Sequence, residues 1–445
     1  MKTLSAAVLV GVVSVSASCT DFLNVNTNPN GPQSVSANLY LPPMLHWMVT
    51  SPQFDGRFVG HYAQEWISTS TLFSPAQSWG RMGYDPASDN GGQQWRDVYW
   101  SLGQNLIAMN AKATAEQRWD LLGVGLILKA WGWQVLTDLH GEIIIKEALD
   151  VSRTSFDYDT QEYAYQEVQR LLDSAIVLLR RTDGAVDASY LAKGDHIYNG
   201  SLMNGTQFGG VVDPRMSRML AIDSANTTYR GLDINVLGFG ALTPPQQPRN
   251  FFGYVGSDGL GLPSRYLFAD RSKIPVMTYS ELQFVKAEAA LRMGNQAAAL
   301  TAYTNGISSH IDFVNARNLD AGQTPTQITG TEKATFLADP AIVPATLTLS
   351  HVMSQKYIAL WGWGHNELWM DMRRYHYTDI DPVSGTQVFR GFTPPTNLSA
   401  ANGGKVAQRI RPRYNSEYVW NVAALQAIGA DATDYHTKPL WIIQP

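Results

Sequence analysis

The chain contains a single cysteine, Cys19, in 445 residues. One thiol forms no internal disulfide, and it leaves neither a cysteine metal cluster nor a redox pair. Charge is also sparse: Asp, Glu, Lys and Arg make up 16% of the residues, with a formal net charge of −5. There is no Lys/Arg run, which argues against a nucleic-acid partner, whose phosphates require a basic face. Long apolar runs are missing as well. The longest beyond the amino end, Leu121 to Leu136, is interrupted by Lys129 and by Gly123, Gly125 and Gly132. It reads as a buried helix, not a membrane span. Common catalytic signatures are absent too. There is no G-x-S-x-G, "GYVGSDGLG" lacks the following Lys-Ser/Thr of a phosphate loop, and His365 and Glu367 lack the H-E-x-x-H spacing.

What is present starts at the amino end. Residues 1–18 carry one charge, Lys2, followed by an apolar and small stretch from Leu4 to Val15. That is the layout of an export signal, too short to span a bilayer. Two readings of Cys19 follow. Cleavage nearby could leave a stray thiol, or "SASC" could be a lipobox in which Cys19 becomes the lipidated first residue of the mature chain. The small residues before the thiol favour the second, although Ser16 stands where Leu is usual. Membrane contact is then by an anchor. The stretch "DFLNVNTNPNGP" (Asp21–Pro32) is too rich in Asn, Pro and Gly for a regular element and reads as a tether. The expected division is a signal at 1–18, a lipidated tether at 19–35 and a single domain at 36–445.

At 44% hydrophobic residues, the remainder is a folded body. Its best-organised unit is "TYSELQFVKAEAALRMGNQAAALTAYTNGISSH" (Thr278–His310). Thr278 and Glu281 are spaced as a capping box, and Leu282, Val285, Ala289 and Met293 recur on one helical face. Gly294-Asn295 ends that helix, and Asn295 can cap the next from Gln296. Ala287, Gly294, Ala299, Tyr303 and Gly306 occupy the small, Gly, Ala, aromatic and small positions of a tetratricopeptide hairpin. Further helices are expected at Trp119–Thr137, Thr160–Arg180, Ser350–Trp361 and His365–Arg374. Loop-rich stretches are expected at Ser51–Gln94, Thr182–Lys273 and Asp379–Asn415. The fold class is all-α, a helical-hairpin scaffold carrying long aromatic-rich loops, and such loops in a compact body are usually functional.

Five segments, with the "CTDFLNVNTNPNGP" start, resemble SusD/RagB-like outer-membrane lipoproteins of Bacteroidetes. In order they are "ILKAWGWQVLTDLHGEIIIKEAL" (Ile127–Leu149), "FDYDTQEYAYQEVQRLLDSAIVLL" (Phe156–Leu179), "ELQFVKAEAALRMGN" (Glu281–Asn295), "SQKYIALWGWGHNELWMDMRRYHY" (Ser354–Tyr377) and "RIRPRYNSEYVWN" (Arg409–Asn421). One departure is visible: "GDHIYNGSLMNGTQFGG" (Gly194–Gly210) runs straight into "DPRMSRML", as if a family helix were shortened or missing. The resemblance implies a cell-surface, lipid-anchored, non-catalytic protein of the outer membrane with four tetratricopeptide-like hairpins. It also implies a SusC-like TonB-dependent transporter as partner, an oligosaccharide or peptide ligand, and no cofactor or metal.

Trp and Tyr offer flat faces to the C–H side of a sugar, while Arg, Asn and Asp bond its hydroxyls. Two loop clusters carry these groups. The first supplies Phe73, Trp79, Arg81, Tyr84 and Asp85 as candidate ligand residues; the second supplies Phe252, Tyr254, Asp258, Arg265 and Tyr266. Trp66 and Trp95, beside expected helices, lean toward packing. Trp131, Trp133, Trp361 and Trp369 are expected in the core, and "RIRPRYNSEY" reads as a structural clamp. "DLHGE" brings Asp138, His140 and Glu142 together, but at a helix end, where capping explains them. A carboxylate pair for glycoside hydrolysis stays open, since pairing in space is invisible here.

Overall fold

The computed structural model describes residues 35–66, 79–84, 91–150, 152–185, 203, 206–220, 243, 266–267, 273–317 and 327–444. Cys19 and the signal and tether segments lie outside the described residues, as does most of Gly194–Gly210. Among the described residues the chain is all-α; the only strand-like pairings are two isolated bridges, Ile143 with Asp159 and Ile380 with Gln387.

Helix α1 (Leu41–Tyr62) opens with proline in its first turn, where the missing N–H costs nothing. It runs on through Pro52 to Tyr62, so the loop expected from Ser51 begins only after Tyr62, about three turns later. Burial of Ser51, Asp55, Val59 and Tyr62 on one side holds this half of the helix against the proline's preference. A short helix α2 (Gln93–Arg96) passes through a π-helical turn, Asp97–Leu102, into α3 (Gly103–Ala115).

Helices α4 (Trp119–His140) and α5 (Gln161–Leu179) form an antiparallel hairpin. Thr160 caps α5 by accepting from the Tyr163 N–H at 3.2 Å. The apolar run at Leu121–Leu136 is buried as expected, and no described helix is long and apolar enough to cross a membrane. Beyond the short α6 (Met216–Met219), α7 (Tyr279–Arg292) and α8 (Gln296–Arg317) make the second clear hairpin. Thr278 Oγ1 accepts from the Glu281 N–H at 3.0 Å, and Asn295 Oδ1 accepts from the Ala298 N–H at 3.1 Å. Ala287, Ala299 and Tyr303 are wholly buried. A Cβ on Gly306 would stand 2.8 Å from the Phe284 ring, so this position needs glycine for close helix approach. The tetratricopeptide spacing is therefore realised in space.

The apolar stripe of α7 turns outward instead of in. Leu282, Val285 and Met293 are 42%, 41% and 83% exposed, while Glu281, Gln283, Phe284, Ala287 and Glu288 are buried. The inward face serves an ion-pair network: Glu288 meets Arg374 at 3.0 Å and accepts from the Tyr375 hydroxyl at 2.7 Å. Beside it Lys356 meets Asp371 at 2.6 Å. Periodicity located the helix but not its buried side, because paired charges can be buried as readily as leucines are left exposed.

Helix α9 (Gly330–Ala338) starts with a full capping box between Thr329 and Glu332. Helices α10 (Leu349–Leu360) and α11 (His365–Arg374) follow the expected spans closely, broken at Gly362–Gly364. A long irregular stretch from 375 then leads to α12 (Tyr414–Trp420) and α13 (Val422–Ala427).

Candidate functional site

Two aromatic assemblies dominate the described structure, one closed and one open. In the closed one, Tyr62 lies 5.0 Å from Trp79 and 4.9 Å from Trp369, and Trp79 lies 4.9 Å from Tyr84, ring centre to ring centre. Tyr62 donates to the Gly83 carbonyl at 2.8 Å. All four rings are buried. Arg373 stacks on Trp369 at 3.8 Å and donates to the carbonyls of Asp138 and Gln408 at 2.7 and 2.9 Å.

The open assembly is a groove of about 340 Å³ lined by Trp95, Tyr99, Trp100, Phe156, Arg96 and Arg413, among others. Its floor is fixed. Trp95 packs 5.1 Å from Tyr99 and 4.8 Å from His140, and Tyr99 Oη both donates to the Ile144 carbonyl and accepts from its N–H at 2.9 Å. Trp100 on the wall is 63% exposed. The π-helical turn makes this possible, because its wider winding shifts side chains around the axis, and such turns gather at functional sites. Asp97 anchors the turn: it accepts from Ser51 Oγ at 2.5 Å, Gln93 Nε2 at 2.7 Å and Ser101 Oγ at 2.9 Å. Asp55 adds support from α1 by accepting from the N–H groups of Gln93 and Gln94 at 3.2 and 2.7 Å. Burial pushes the Asp55 carboxyl up to about 7, against the pull of those two bonds.

The opposite wall carries a strained residue. Leu149 sits at φ 68°, and its Cδ2 lies 2.5 Å from where a Cβ on Gly103 would stand. A leucine in the left-handed region is a genuine outlier, of the kind that clusters at ligand sites. Asn421 closes the far end by bonding both the N–H and the carbonyl of Phe156, at 3.1 and 2.8 Å. Trp95 is itself buried beneath the groove, so the open aromatic surface is that of Trp100, with Tyr99 and Phe156 half-buried beside it. Edged by guanidinium and carboxylate groups, such a surface has the chemistry that grips a polyhydroxylated ring.

A family model described as starch-binding and associating with the outer membrane matches residues 29–229 and 210–394. This chain belongs to the SusD-like family. No curated protein sequence matches it. Among solved structures it is similar to a SusD/RagB family protein from Bacteroides thetaiotaomicron, at 18% identity and a TM-score of 0.62, over 92% of this chain and 99% of that one. A SusD homologue from Bacteroides fragilis is similar at 18% identity and 0.65, over 92% and 100%. A chitin-binding SusD homologue from Flavobacterium johnsoniae is similar at 16% identity and 0.55, over 92% and 97%. At these identities the likeness speaks for the fold, which is the SusD-like helical fold expected from the sequence.

For this SusD-like chain, the loop residues expected to hold ligand separate into two groups. Phe73, Asp85, Phe252, Tyr254, Asp258 and Arg265 lie outside the described residues. Of the rest, Trp79, Tyr84 and Tyr266 are 7%, 7% and 0% exposed. They have no ring face to give a sugar, so packing replaces the expected ligand role for these three. Tyr266 is held by Phe313 at 6.0 Å and by Arg317, which donates to its carbonyl at 3.1 Å. Their loop setting suggested exposure, but Phe58 and Tyr62 of α1 pack on Trp79, Trp79, His436 and Arg411 lie against Tyr84, and α8 covers Tyr266. Arg81 is half-buried beside them. Trp95, Trp133, Trp361 and Trp369 are buried and Trp131 and Trp66 are half-buried, as their helical neighbourhood suggested.

The clamp reading of "RIRPRYNSEY" holds in the geometry. Arg409 is 1% exposed; it pairs with Glu142 and donates to the Lys438 and Pro439 carbonyls at 2.8 and 2.7 Å. Arg411 donates to the Ala432 carbonyl at 2.5 Å. "DLHGE" is absorbed by the same packing. Burial holds the His140 imidazole down at about 3, with Nδ1 3.2 Å from the Ile410 carbonyl. Asp138 accepts from the Tyr165 hydroxyl, and Glu142 belongs to Arg409 and Lys438. Among the described residues no three His, Cys, Asp or Glu are placed to hold a metal ion. The residues missed by the sequence reading are Arg96, Tyr99, Trp100 and Phe156. The signal was "WRDVYW", in which Trp95, Val98 and Tyr99 make a helical stripe and Trp100 stands off it.

Proposed function

We propose that this SusD-like protein is an outer-membrane binding lipoprotein that holds an oligosaccharide in the Trp95–Trp100 groove and passes it to a SusC-like TonB-dependent transporter. The observation that carries the reading is the groove itself: a fixed aromatic floor with an exposed indole wall, on a chain whose family model is described as starch-binding. Chitin binding by a structural neighbour supports a carbohydrate ligand. Lipidation at Cys19, with residues 19–35 as tether, supplies the membrane contact in this reading. Binding without catalysis is supported by His140, Asp138 and Glu142 each being committed to packing partners. A glycan array run beside a peptide panel on the purified protein tests the reading, followed by titration of tryptophan fluorescence. Saturable glycan binding that Trp100→Ala weakens without a change in melting temperature is the expected result. Binding of peptides alone, or release of a hydrolysis product, would overturn it.

A further inference from the structure

We propose that the cleft where α7 meets α1 and α11 is a cation site, in which Glu281, Glu367, Asn366 and Gln53 hold a hard divalent ion such as Ca²⁺. The site is separate from the groove and stands or falls apart from the glycan reading. The cleft has a volume of about 40 Å³, room for an ion and a water or two. Glu281, from the first turn of α7, and Glu367, from the first turn of α11, both line it. Glu281 is 8% exposed. Beyond the Thr278 N–H at its own helix start, its carboxylate forms no hydrogen bond or ion pair among the described residues. Glu367 is exposed and likewise unpaired among them, so the cleft opens to solvent on that side. The neighbouring cations are already committed. Lys356 meets Asp371 at 2.6 Å, and Arg374 meets Asp371 and Glu288 at 2.6 and 3.0 Å.

Two carboxylates alone do not make a site, and Asn366 supplies the independent sign. It is 5% exposed and lines the same cleft. Its Nδ2 donates to Gln94 Oε1 at 2.8 Å, while its Oδ1 is buried with no protein partner. A buried amide oxygen left without a partner is rare in a folded protein and calls for a bound species. Gln53 repeats the arrangement from α1: its Nε2 donates to the Trp363 carbonyl at 2.9 Å, which leaves Oε1 as a second amide oxygen for the cleft. The donors are then all oxygen, two anionic and two neutral, a set that suits Ca²⁺ and offers nothing to a soft metal. Only two of them are carboxylates, in keeping with the absence of any three-membered His, Cys, Asp or Glu cluster among the described residues. A water would satisfy Asn366 but leave two like charges across one cleft, whereas a cation answers both. The bound ion would tie the α7–α8 hairpin to α1 and α11.

The test uses the purified full mature chain, stripped of metal with EDTA and dialysed. With a dissociation constant of about 0.1–1 mM, as for extracellular calcium modules, 10 mM CaCl₂ should raise the melting temperature by about 2–3 °C. NaCl at matched ionic strength should not, and MgCl₂ should do less, because Mg²⁺ gives up its waters reluctantly. Trp131 and Trp363 line the cleft, so Tb³⁺ bound there should show indole-sensitised emission that Ca²⁺ displaces. Glu281→Gln and Glu367→Gln should each weaken Ca²⁺ by about tenfold or more, since each removes one of two anionic ligands. Asp312→Asn, at an exposed carboxylate that pairs with Lys333, should leave the response unchanged. If Glu281→Gln fails to fold, Glu367→Gln on the exposed side carries the same comparison. No shift and no emission in the wild-type chain overturns the proposal. So does an equal response in both Gln variants, which would put the ion elsewhere. Stabilisation by lowering the pH alone, with none from CaCl₂ at any pH, would show a shared proton in the cleft and also overturn it. None of these outcomes touches the glycan titrations, which read Trp100.

Discussion

The closed assembly around Trp79 and Trp369 and the open groove around Trp95 and Trp100 are built from the same residue types and differ in what covers them. Over Trp369 lie Tyr62, Arg373 and Tyr377, the last accepting from the indole Nε1 at 2.6 Å. Over Trp100 there is solvent. The closed set belongs to a core that runs on through Phe284 and Tyr303 of the α7–α8 hairpin, whereas the floor of the open set shares a smaller core with Val98, Ile143 and Val168. An aromatic side chain in a glycine-rich loop is thus not by itself a ligand platform. An edge that no other element covers is needed as well, and the π-helical turn gives Trp100 one.

The comparison breaks most sharply on paired truncations. Trp369→Ala should destabilise the fold by about 3–5 kcal/mol, seen as a lower urea midpoint. Trp100→Ala should leave that midpoint within about 0.5 kcal/mol. Equal losses would mean that the groove wall is core after all. Arg409→Ala, which strands Glu142 and several carbonyls beside the closed region, should cost about 3 kcal/mol in the same assay. Gly306→Ala, which pushes a methyl into the Phe284 ring, should cost about 1–3 kcal/mol and leave glycan affinity unchanged.

On the open side, Trp100→Ala should lower glycan affinity roughly fivefold, about 1 kcal/mol, in a fluorescence or calorimetric titration. The smallest expected effect is confined to acid. Burial favours the neutral Glu288 carboxyl, but the bond and charge of Arg374 outweigh it and hold the group down at about 2. A depressed carboxylate contributes stability above its unfolded pKa, near 4.5, and loses it as pH falls toward 2. Urea midpoints measured from pH 5 downward should therefore decline, and Arg374→Met should flatten that decline.

The sequence was a good guide wherever a local rule decides the outcome. Thr278 and Asn295 cap their helices, Gly294 ends α7, and Gly306 admits Phe284, all from spacing that a short peptide already contains. The breaks at Gly362–Gly364 and the start of α11 at His365 follow in the same way. It was a poor guide to which face or ring is covered. The stripe at Leu282, Val285 and Met293 has the period of a buried face and lies outside. Trp79 and Tyr84 have the setting of exposed loop residues and lie inside.

The sequence by itself determined the helical scaffold, the family and the clamp at Arg409, because capping, helical period and a guanidinium's need for partners act over short distances or leave few solutions. Tertiary structure alone decided the groove. Trp95, Trp100, Leu149, Phe156 and Arg413 are spread over more than 300 residues of chain. Their meeting depends on α1 supplying Ser51 and Asp55 beneath the π-helical turn, and on Asn421 pinning Phe156. Burial is a property of what packs above a residue, and that is set by contacts between distant segments that no local pattern encodes.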